Sequence, residues 1–516
     1  MPQLRRRGTH PPLRRQARRY RQAGHWLPSQ TATEHIDAIS TGGSREALVD
    51  NDSVWTYAQL GAAVDNVRGI LARAEVTADD AVLILAPLRN AAVAAYLGTL
   101  YHGAVAVLLD RRIGTADVTN ACSAARPRVA LAFDDDSRRL GLPRHCRVLS
   151  LDHVSTRPCG MNTAGTPVDP DATATVVFTS GTTSAPKGVV HTINSLRCGA
   201  ANMIEALHIG EDDAFYLSSP LASITGVLQL HSAVSKHAKV ILEESFSASS
   251  AFDRVRDHGA TVIGGAPVIA ETLFAEAERR GESLALRCIA VGGSMIPQTV
   301  LASAARFGVR AVRVYGSSEA PFSTATALDG PGSASDDGAP LPGVEIAIHD
   351  AGGADELIVR GPHQFHGYLD ASQNADAFAD DWLRTGDQAD IESGRMRIKG
   401  RLKDIVVRKG MKISMAELDA AASGLGDCVA FGVADEETGE RLALAIRAAT
   451  ATRDIGYTEV VKHLTSGGLA KWKLPEQIVV WDGPYPRTAS GKIIRQQLAD
   501  GSRHLQTFFA PRISRS

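Results

Sequence analysis

Seven short apolar runs, each emptying into glycine, proline or polar residues, constrain this chain more than any other feature. They are "AVLILAP" (81–87), "RVALAF" (128–133), "TVVFTS" (175–180), "AKVILEE" (238–244), "ATVIGGAP" (260–267), "LRCIAVGGS" (286–294) and "VRAVRVYGSSE" (309–319). Continuous runs of this kind suit strands buried on both faces, and the stretches between them carry helical spacing. The clearest follows Thr56, a suitable N-cap, with Tyr57, Leu60, Val64, Val67 and Leu71 recurring every three or four residues. Strands alternating with helices predict an α/β fold whose parallel sheets are covered on both sides. Functional loops of such sheets lie beyond the carboxyl ends of the strands. "TSGTT", "GGAP", "GGS" and "YGSSE" all fall there.

The texture changes near residue 340. "VEIAIHD", "DELIVRG", "GRMRIKG" and "DIVVRKG" read as short alternating strands with Gly-rich turns, an antiparallel or barrel-like part. From about residue 404 the chain has its own apolar periods, around "AELDAAAS", "CVAFGVAD", "RLALAIRA" and "EVVKHL", as a compact α+β unit would. With 516 residues, two or more domains are expected.

Charge and cysteine usage exclude several classes. A net charge of −2 exerts no general pull toward nucleic acid or anionic membranes. The first 21 residues carry eight arginines, yet "QAGHWLPSQTATEH" behind them supplies no apolar stretch for a signal peptide. Such a run is expected to be a solvated face or a frayed end, with a nucleic-acid arm as the lesser alternative. "AAVAAYLGTLYHGAVAVLL" (91–109) is uncharged over nearly membrane-spanning length. Gly98, His102 and Gly103 interrupt it, so it reads as a buried helix followed by a core strand, and no membrane span is expected. The six cysteines are scattered without a CxxC pair, which fits a reducing cytosol better than a zinc site or a disulfide framework.

Between Thr179 and Gly188 the chain reads "TSGTTSAPKG". Small residues let backbone N–H groups turn toward a ligand, hydroxyls add donors, and Lys187 adds charge; together they suit a polyphosphate. A plain surface connection is the alternative. The loop is not a P-loop, because no "GK[ST]" occurs in it, and "SGKII" (490–494) has Pro486 where the first glycine should be. Elsewhere, Glu319 ends "YGSSE", and Asp387 follows a tight glycine turn in "LRTGD" (383–387), suited to vicinal hydroxyls. "GRLKDIVVRKG" (400–410) is a cationic hairpin, and "PRTASGKIIR" (486–495) carries Lys492 after a glycine. Taken singly, each of these is more often an ordinary surface feature.

Their order and spacing resemble the adenylate-forming enzyme superfamily: acyl-CoA synthetases, aryl-acid adenylating enzymes, peptide-synthetase adenylation domains and luciferases. The likeness runs from "RYRQAGHW" (19–26) through "PRTASGKIIR", by way of "YGSSE", "GYLD…WLRTGD" and "GRLKDIVV". The N-terminal segment is similar to the start of synthetases acting on cyclic carboxylates. The resemblance implies a large domain over 1–400 and a small mobile lid over 401–516, turning about a hinge near Lys403. It implies that Thr179, Ser180, Gly181, Thr182, Thr183 and Lys187 cradle the β- and γ-phosphates of ATP, and that Glu319 holds Mg²⁺. Asp387 would accept from the ribose hydroxyls with Arg401 nearby. Gly292, Gly293, Ser294, Tyr315, Gly316, Ser317 and Ser318 would line the adenine and acyl sites, with Ser223 and Gly265 in the acyl pocket. Lys492 would bridge the reacting carboxylate and phosphate, while rotation would present Gly410 beside a channel for the pantetheine of CoA. Lys187, Glu319 and Lys492 are thus the expected catalytic groups.

Three positions depart from that pattern: Ser184 replaces a glycine, Ser223 a histidine, and Ile193 a second histidine. "FYLSSPLASITG" offers no carboxylate to pair with an α-ammonium group, which favours an acid lacking one. The expectation is therefore an AMP-forming carboxylic acid:CoA ligase acting on an alicyclic, aromatic or fatty acid. Its rivals are a stand-alone enzyme loading a separate carrier protein and a non-catalytic nucleotide- or acyl-binding relative.

Overall fold

The computed structural model describes residues 11–27, 39, 41–78, 80–158, 168–179, 187–293, 296–330, 336–350, 355–408, 411–435, 439–452, 455–487 and 493–510. Its strands form four sheets. In the largest, the strands Arg310–Tyr315, Cys288–Gly292, Val262–Gly265, Ala214–Leu217, Lys239–Leu242 and Glu46–Val49 lie side by side in parallel. Short antiparallel strands close both of its edges. A second sheet orders Arg147–Ser150, Val129–Ala132, Ala81–Leu85, Val105–Leu109 and Thr173–Thr179 in parallel and ends on the antiparallel Lys187–Thr192.

The expected runs are therefore strands, and the reason is visible in their burial. Every residue of Ala81–Leu85 and Val105–Leu109 is buried, because helices cover the faces of the sheet, as parallel strands require. Helix Tyr57–Arg73 begins at Thr56, whose hydroxyl accepts from Gln59 N while the Gln59 side chain returns to the Thr56 N–H. Residues 91–109 divide into helix Asn90–His102 and strand Val105–Leu109. No helix among the described residues is long and apolar enough to cross a membrane.

A third sheet, wholly antiparallel, joins Glu345–Asp350, Asp355–Arg360, Phe378–Ala379, Trp382–Glu392 and Arg395–Arg401. Two sequence readings change here. Gly386 does not make a turn: it lies within the continuous strand Trp382–Glu392 with φ +69°, at an irregularity in the pairing with Asp355–Arg360. A left-handed glycine inside a ladder is the device of a bulge, which re-aims the next side chain, Asp387. "DIVVRKG" also leaves this sheet, since strand Ile405–Arg408 pairs with Met411–Ser414 in the fourth.

That fourth sheet, with helices Met415–Ala421, Tyr457–Ser466 and Arg495–Gly501, encloses its own core, including Val406, Phe431, Leu444, Ile478 and Leu498. The chain passes from the third sheet to the fourth through one short turn, Leu402–Asp404.

The arginine-rich start is not frayed over its described part. Residues Pro11–Gln22 form a helix whose Arg19 and Arg21 pair with Glu345 and Asp171. Beyond it, buried Trp26 donates Nε1–H to Pro362 O at 2.9 Å, and Leu27 N–H donates to Asn194 Oδ1 at 2.8 Å. This segment straps the loop at 361–366 to the helix Ile193–Leu207.

Candidate active site

Strand Lys187–Thr192 is the element from which the site is built. It forms an antiparallel hairpin with Thr173–Thr179, and Thr179 and Lys187 face each other at the end where residues 180–186 join the two strands. Of the expected phosphate loop, Thr179 and Lys187 are placed; Ser180, Gly181, Thr182 and Thr183 lie outside the described residues, as does Ser184. On its other side the strand is tied to Gly367–Tyr368–Leu369. Val190 N–H donates to Gly367 O at 3.1 Å, Leu369 N–H donates to Gly188 O at 2.7 Å, and Val189 forms a bridge with Tyr368. These bonds put the Tyr368 ring under Lys187, with Nζ 4.7 Å from the ring centroid. The Tyr368 hydroxyl in turn donates to Glu319 Oε1 at 2.8 Å.

Glu319 stands on the loop that leaves strand Arg310–Tyr315, and three bonds hold that loop's backbone. Phe365 N–H donates to Glu319 O at 2.7 Å, Glu319 N–H donates to Ser317 Oγ at 3.2 Å, and Ser318 O lies 2.8 Å from His191 Nε2. Burial pushes His191 down to about 4, so its ring is neutral. Because a carbonyl only accepts, the single proton sits on Nε2, and Nδ1 accepts from Ser195 Oγ at 3.1 Å. His191 and Lys187 share one strand, so the cation and the carboxylate loop are referred to the same rigid element.

A second pair of charges meets Tyr315, at the start of the loop that carries Glu319. Asp387 is buried, receives the Tyr315 hydroxyl at Oδ2 (2.7 Å) and faces Arg401 Nε from Oδ1 (3.0 Å). Burial first, and then the Asp387 charge, hold the Tyr315 phenol protonated well above its usual range. Each carboxylate oxygen can accept two hydrogen bonds, so this arrangement has capacity for hydroxyls of a ligand. Strand order explains why Tyr315 and Glu319 share the crevice: they bracket the same loop at the carboxyl end of a central parallel strand.

The remaining expected residues are placed as follows. Gly292 ends the neighbouring strand Cys288–Gly292 so close to Arg310–Tyr315 that a Cβ would stand 2.3 Å from Val314 O, and only glycine fits. Gly293 follows it, and Ser294 lies outside the described residues. Gly316, Ser317 and Ser318 lie on the Glu319 loop, and Gly265 ends the next strand toward Ala214–Leu217. Ser223 caps helix Ile224–Ser235: its oxygen accepts from Gly226 N–H at 3.2 Å and its hydroxyl donates to Pro220 O at 2.7 Å. Both hydrogen-bonding roles of the side chain are engaged within its own turn. Lys403 sits in the turn Leu402–Asp404 between the third and fourth sheets. Gly410 and Lys492 lie outside the described residues.

What flanks Lys492 is described. Arg487 bridges Ile493 across the base of the 488–492 stretch, and Ile494 N–H donates to Pro486 O at 2.9 Å. Arg495 donates to Ala430 O (2.9 Å), Asp404 Oδ2 (3.2 Å) and Asp419 Oδ2 (2.6 Å), tying this segment to the residue next to Lys403. Arg408, before the 409–410 stretch, is buried against Glu476 at 3.2 Å and donates to the carbonyls of Leu474 and Trp472.

Sequence reasoning missed Tyr368, His191, Arg408 and Arg495 as contributors. Tyr368 was legible only as one letter of "GYLD", and an aromatic beside a strand reads as core. The arginines sat within recognised cationic stretches, but a charge run does not reveal which of its members is turned inward.

Residues 37–369 match the family model described as AMP-binding enzyme. The chain is 27% identical to the medium-chain fatty-acid–CoA ligase of Escherichia coli K12, over 92% of this chain and 90% of that protein. It is 27% identical to the 2-succinylbenzoate–CoA ligase of Bacillus subtilis, over 89% and 96% respectively. Among solved structures, the o-succinylbenzoate coenzyme A synthetase of Bacillus subtilis in complex with ATP and magnesium ion is similar, with a TM-score of 0.81 at 25% identity, covering 90% of this chain and 99% of that one.

Proposed function

The chain belongs to the AMP-binding enzyme family, and from that premise we propose that it is an AMP-forming carboxylic acid:CoA ligase using ATP and Mg²⁺. The observation that carries this reading is the paired arrangement at one crevice. Lys187 and Glu319 are joined through Tyr368, and Asp387 is joined to Arg401 and Tyr315.

In the first step a carboxylate oxygen of the acid attacks the α-phosphorus of ATP, and pyrophosphate leaves. Both reactants are anionic, so the site must offset charge and hold them in line. Lys187 supplies a cation at the exit of the phosphate loop, and Asp387 accepts from the ribose hydroxyls. His191 and Phe365 hold the Glu319 loop so that neither needs to reorganise. Among the described residues no group of three or more His, Cys, Asp or Glu side chains converges on one point. A metal held by Glu319 would therefore draw its other oxygens from phosphates and water, the donor set Mg²⁺ favours. When bound it would neutralise phosphate charge. In the second step a thiolate attacks the acyl carbon, and AMP leaves.

Residues 1–400 would act as the large domain and 401–516 as a lid turning about Lys403. One orientation would bring Lys492 to the reacting groups and the other Gly410 to the thiol path. Two observations support this: the fourth sheet has a separate core, and a single short turn joins it to the third. For the acid we propose an alicyclic, aromatic or fatty substrate without an α-amino group. The relatives named above act on acids of these kinds, and "FYLSSPLASITG" carries no carboxylate to receive an ammonium. CoA is the favoured acceptor over a carrier protein on the same grounds.

Acid-dependent pyrophosphate release across a panel of acids tests the reading, followed by mass spectrometry of the thioester with CoA and with carrier protein offered separately. Release with at least one such acid and a CoA thioester product are expected. ATP binding without release for any acid would favour a non-catalytic relative.

A further inference from the structure

Lys187 and Glu319 carry opposite charges in one crevice, yet they are not paired with each other. Among the described residues neither takes part in an ion pair, and Tyr368 stands between them. Its ring face meets the ammonium, 4.7 Å from Nζ to centroid, while its hydroxyl donates to the carboxylate at 2.8 Å. A partly desolvated crevice strengthens attraction between opposite charges, so a direct Lys–Glu pair is the resting arrangement these side chains would adopt if the ring were absent. Such a pair would have to break before the ammonium could meet a phosphate or the carboxylate a metal.

We propose that Tyr368 is a positioning residue that keeps Lys187 and Glu319 apart, leaving each ready for its own ligand. The proposal rests on the reading of these two residues as the phosphate and metal groups. Tyr368 is well suited to the task. A ring face attracts a cation without neutralising it, and a phenol occupies one carboxylate oxygen while leaving the charge in place. An ordinary phenol ionises only at about pH 10, so at neutral pH it remains a donor to Glu319. Its backbone is immobilised by the bridge to Val189 and by its N–H, which donates to Asn374 Oδ1 at 2.8 Å. The ring is braced edge-on by Phe365 at 5.0 Å.

The test is calorimetric titration of the full chain with ATP in EDTA, so that no metal contributes. Tyr368→Leu removes ring and hydroxyl together and is expected to weaken metal-free ATP binding about tenfold, as Lys187 collapses onto Glu319. Tyr368→Phe keeps the ring and is expected to cost about two- to threefold. In a Glu319→Gln background no carboxylate remains to capture Lys187, so Tyr368→Leu is then expected to change affinity less than about twofold, the coupling a double-mutant cycle isolates. Equal losses in both backgrounds would overturn the proposal and make Tyr368 a packing residue. Melting curves verify folding. Should Tyr368→Leu not fold, the same cycle with Tyr368→Phe decides by the same comparison. Lys187→Ala serves as the control on the underlying reading: unchanged ATP affinity in that variant would overturn the site assignment itself, and this inference with it.

Discussion

In the large body, charged groups are tied to one another across elements: Lys187 and Glu319 through Tyr368, Glu319's loop to His191, and Asp387 to Arg401 and Tyr315. In residues 405–510 the anchoring arginines face inward instead. Arg408 is spent on Glu476 and two carbonyls, and Arg495 on Asp419, Asp404 and Ala430. The stretches that these arginines flank, 409–410 and 488–492, carry the groups assigned to the two half-reactions. The contrast separates two tasks. On the proposed reading, the large body would assemble a nucleotide site before any ligand arrives, and the small unit would carry its working residues on stretches flanked by inward-facing arginines and move as one piece.

The largest expected effect falls on that division. Lys492→Ala should lower acid-dependent pyrophosphate release by about a hundredfold or more, while thioester formation from supplied acyl-adenylate stays within severalfold of wild type. Equal loss in both half-reactions would break the contrast.

Next is stability. Arg408→Ala removes a buried ion pair with Glu476, whose side chain is 3% exposed, together with the bonds to the carbonyls of Leu474 and Trp472. Removing one partner of a buried ion pair costs about 3–5 kcal/mol. Differential scanning calorimetry should show a transition for the small unit moved to lower temperature and the large body's transition unmoved. A single cooperative shift of the whole molecule would show that the two parts do not melt independently.

Asp387→Asn keeps the shape and removes the charge that strengthens its hydrogen bonds. Bonds to a charged group are worth about 1.5–3 kcal/mol, so affinity for AMP, read by titration calorimetry, should fall about ten- to a hundredfold.

These expectations draw unequally on what the sequence made legible. The parallel sheets could be read because "AVLILAP" and its counterparts bury both faces and leave no polar alternation to misjudge. Part of the candidate site's outline could be read because "YGSSE" and Thr179 fall at strand ends. Gly386 was misread as a turn, since a left-handed glycine looks the same in a turn and in a bulge, and only the partner strand distinguishes them. The N-terminal arginines were expected to be solvated, and Arg18 and Arg19 are exposed, but nothing local shows that Glu345 and Asp171 meet Arg19 and Arg21. Tyr368 and His191 act through partners distant in the chain, Glu319 at 49 residues and Ser318 at 127, and a single chain carries no sign of such pairings.

The smallest effect concerns acid. His363 is fully buried and pushed down to about 3, by burial first and then by the nearby His191. Its folded pKa lies below the unfolded value, so the unfolded chain takes the proton more readily. The stability this residue contributes is complete above pH 6.5 and is lost as pH falls toward 3, at about 1.4 kcal/mol per pH unit. Urea midpoints of the large body should decline from pH 7 to pH 5, and His363→Asn should make that decline shallower. An unchanged slope would place the acid sensitivity elsewhere.

ATP binding in the absence of any acid substrate, compared between Lys187→Ala and Lys492→Ala, tests the central claim most directly. The account predicts a loss of about tenfold or more for Lys187→Ala and an affinity within about twofold of wild type for Lys492→Ala, because one lysine belongs to the assembled site and the other arrives only for the reaction. Equal weakening in both variants, or none with Lys187→Ala, would contradict it.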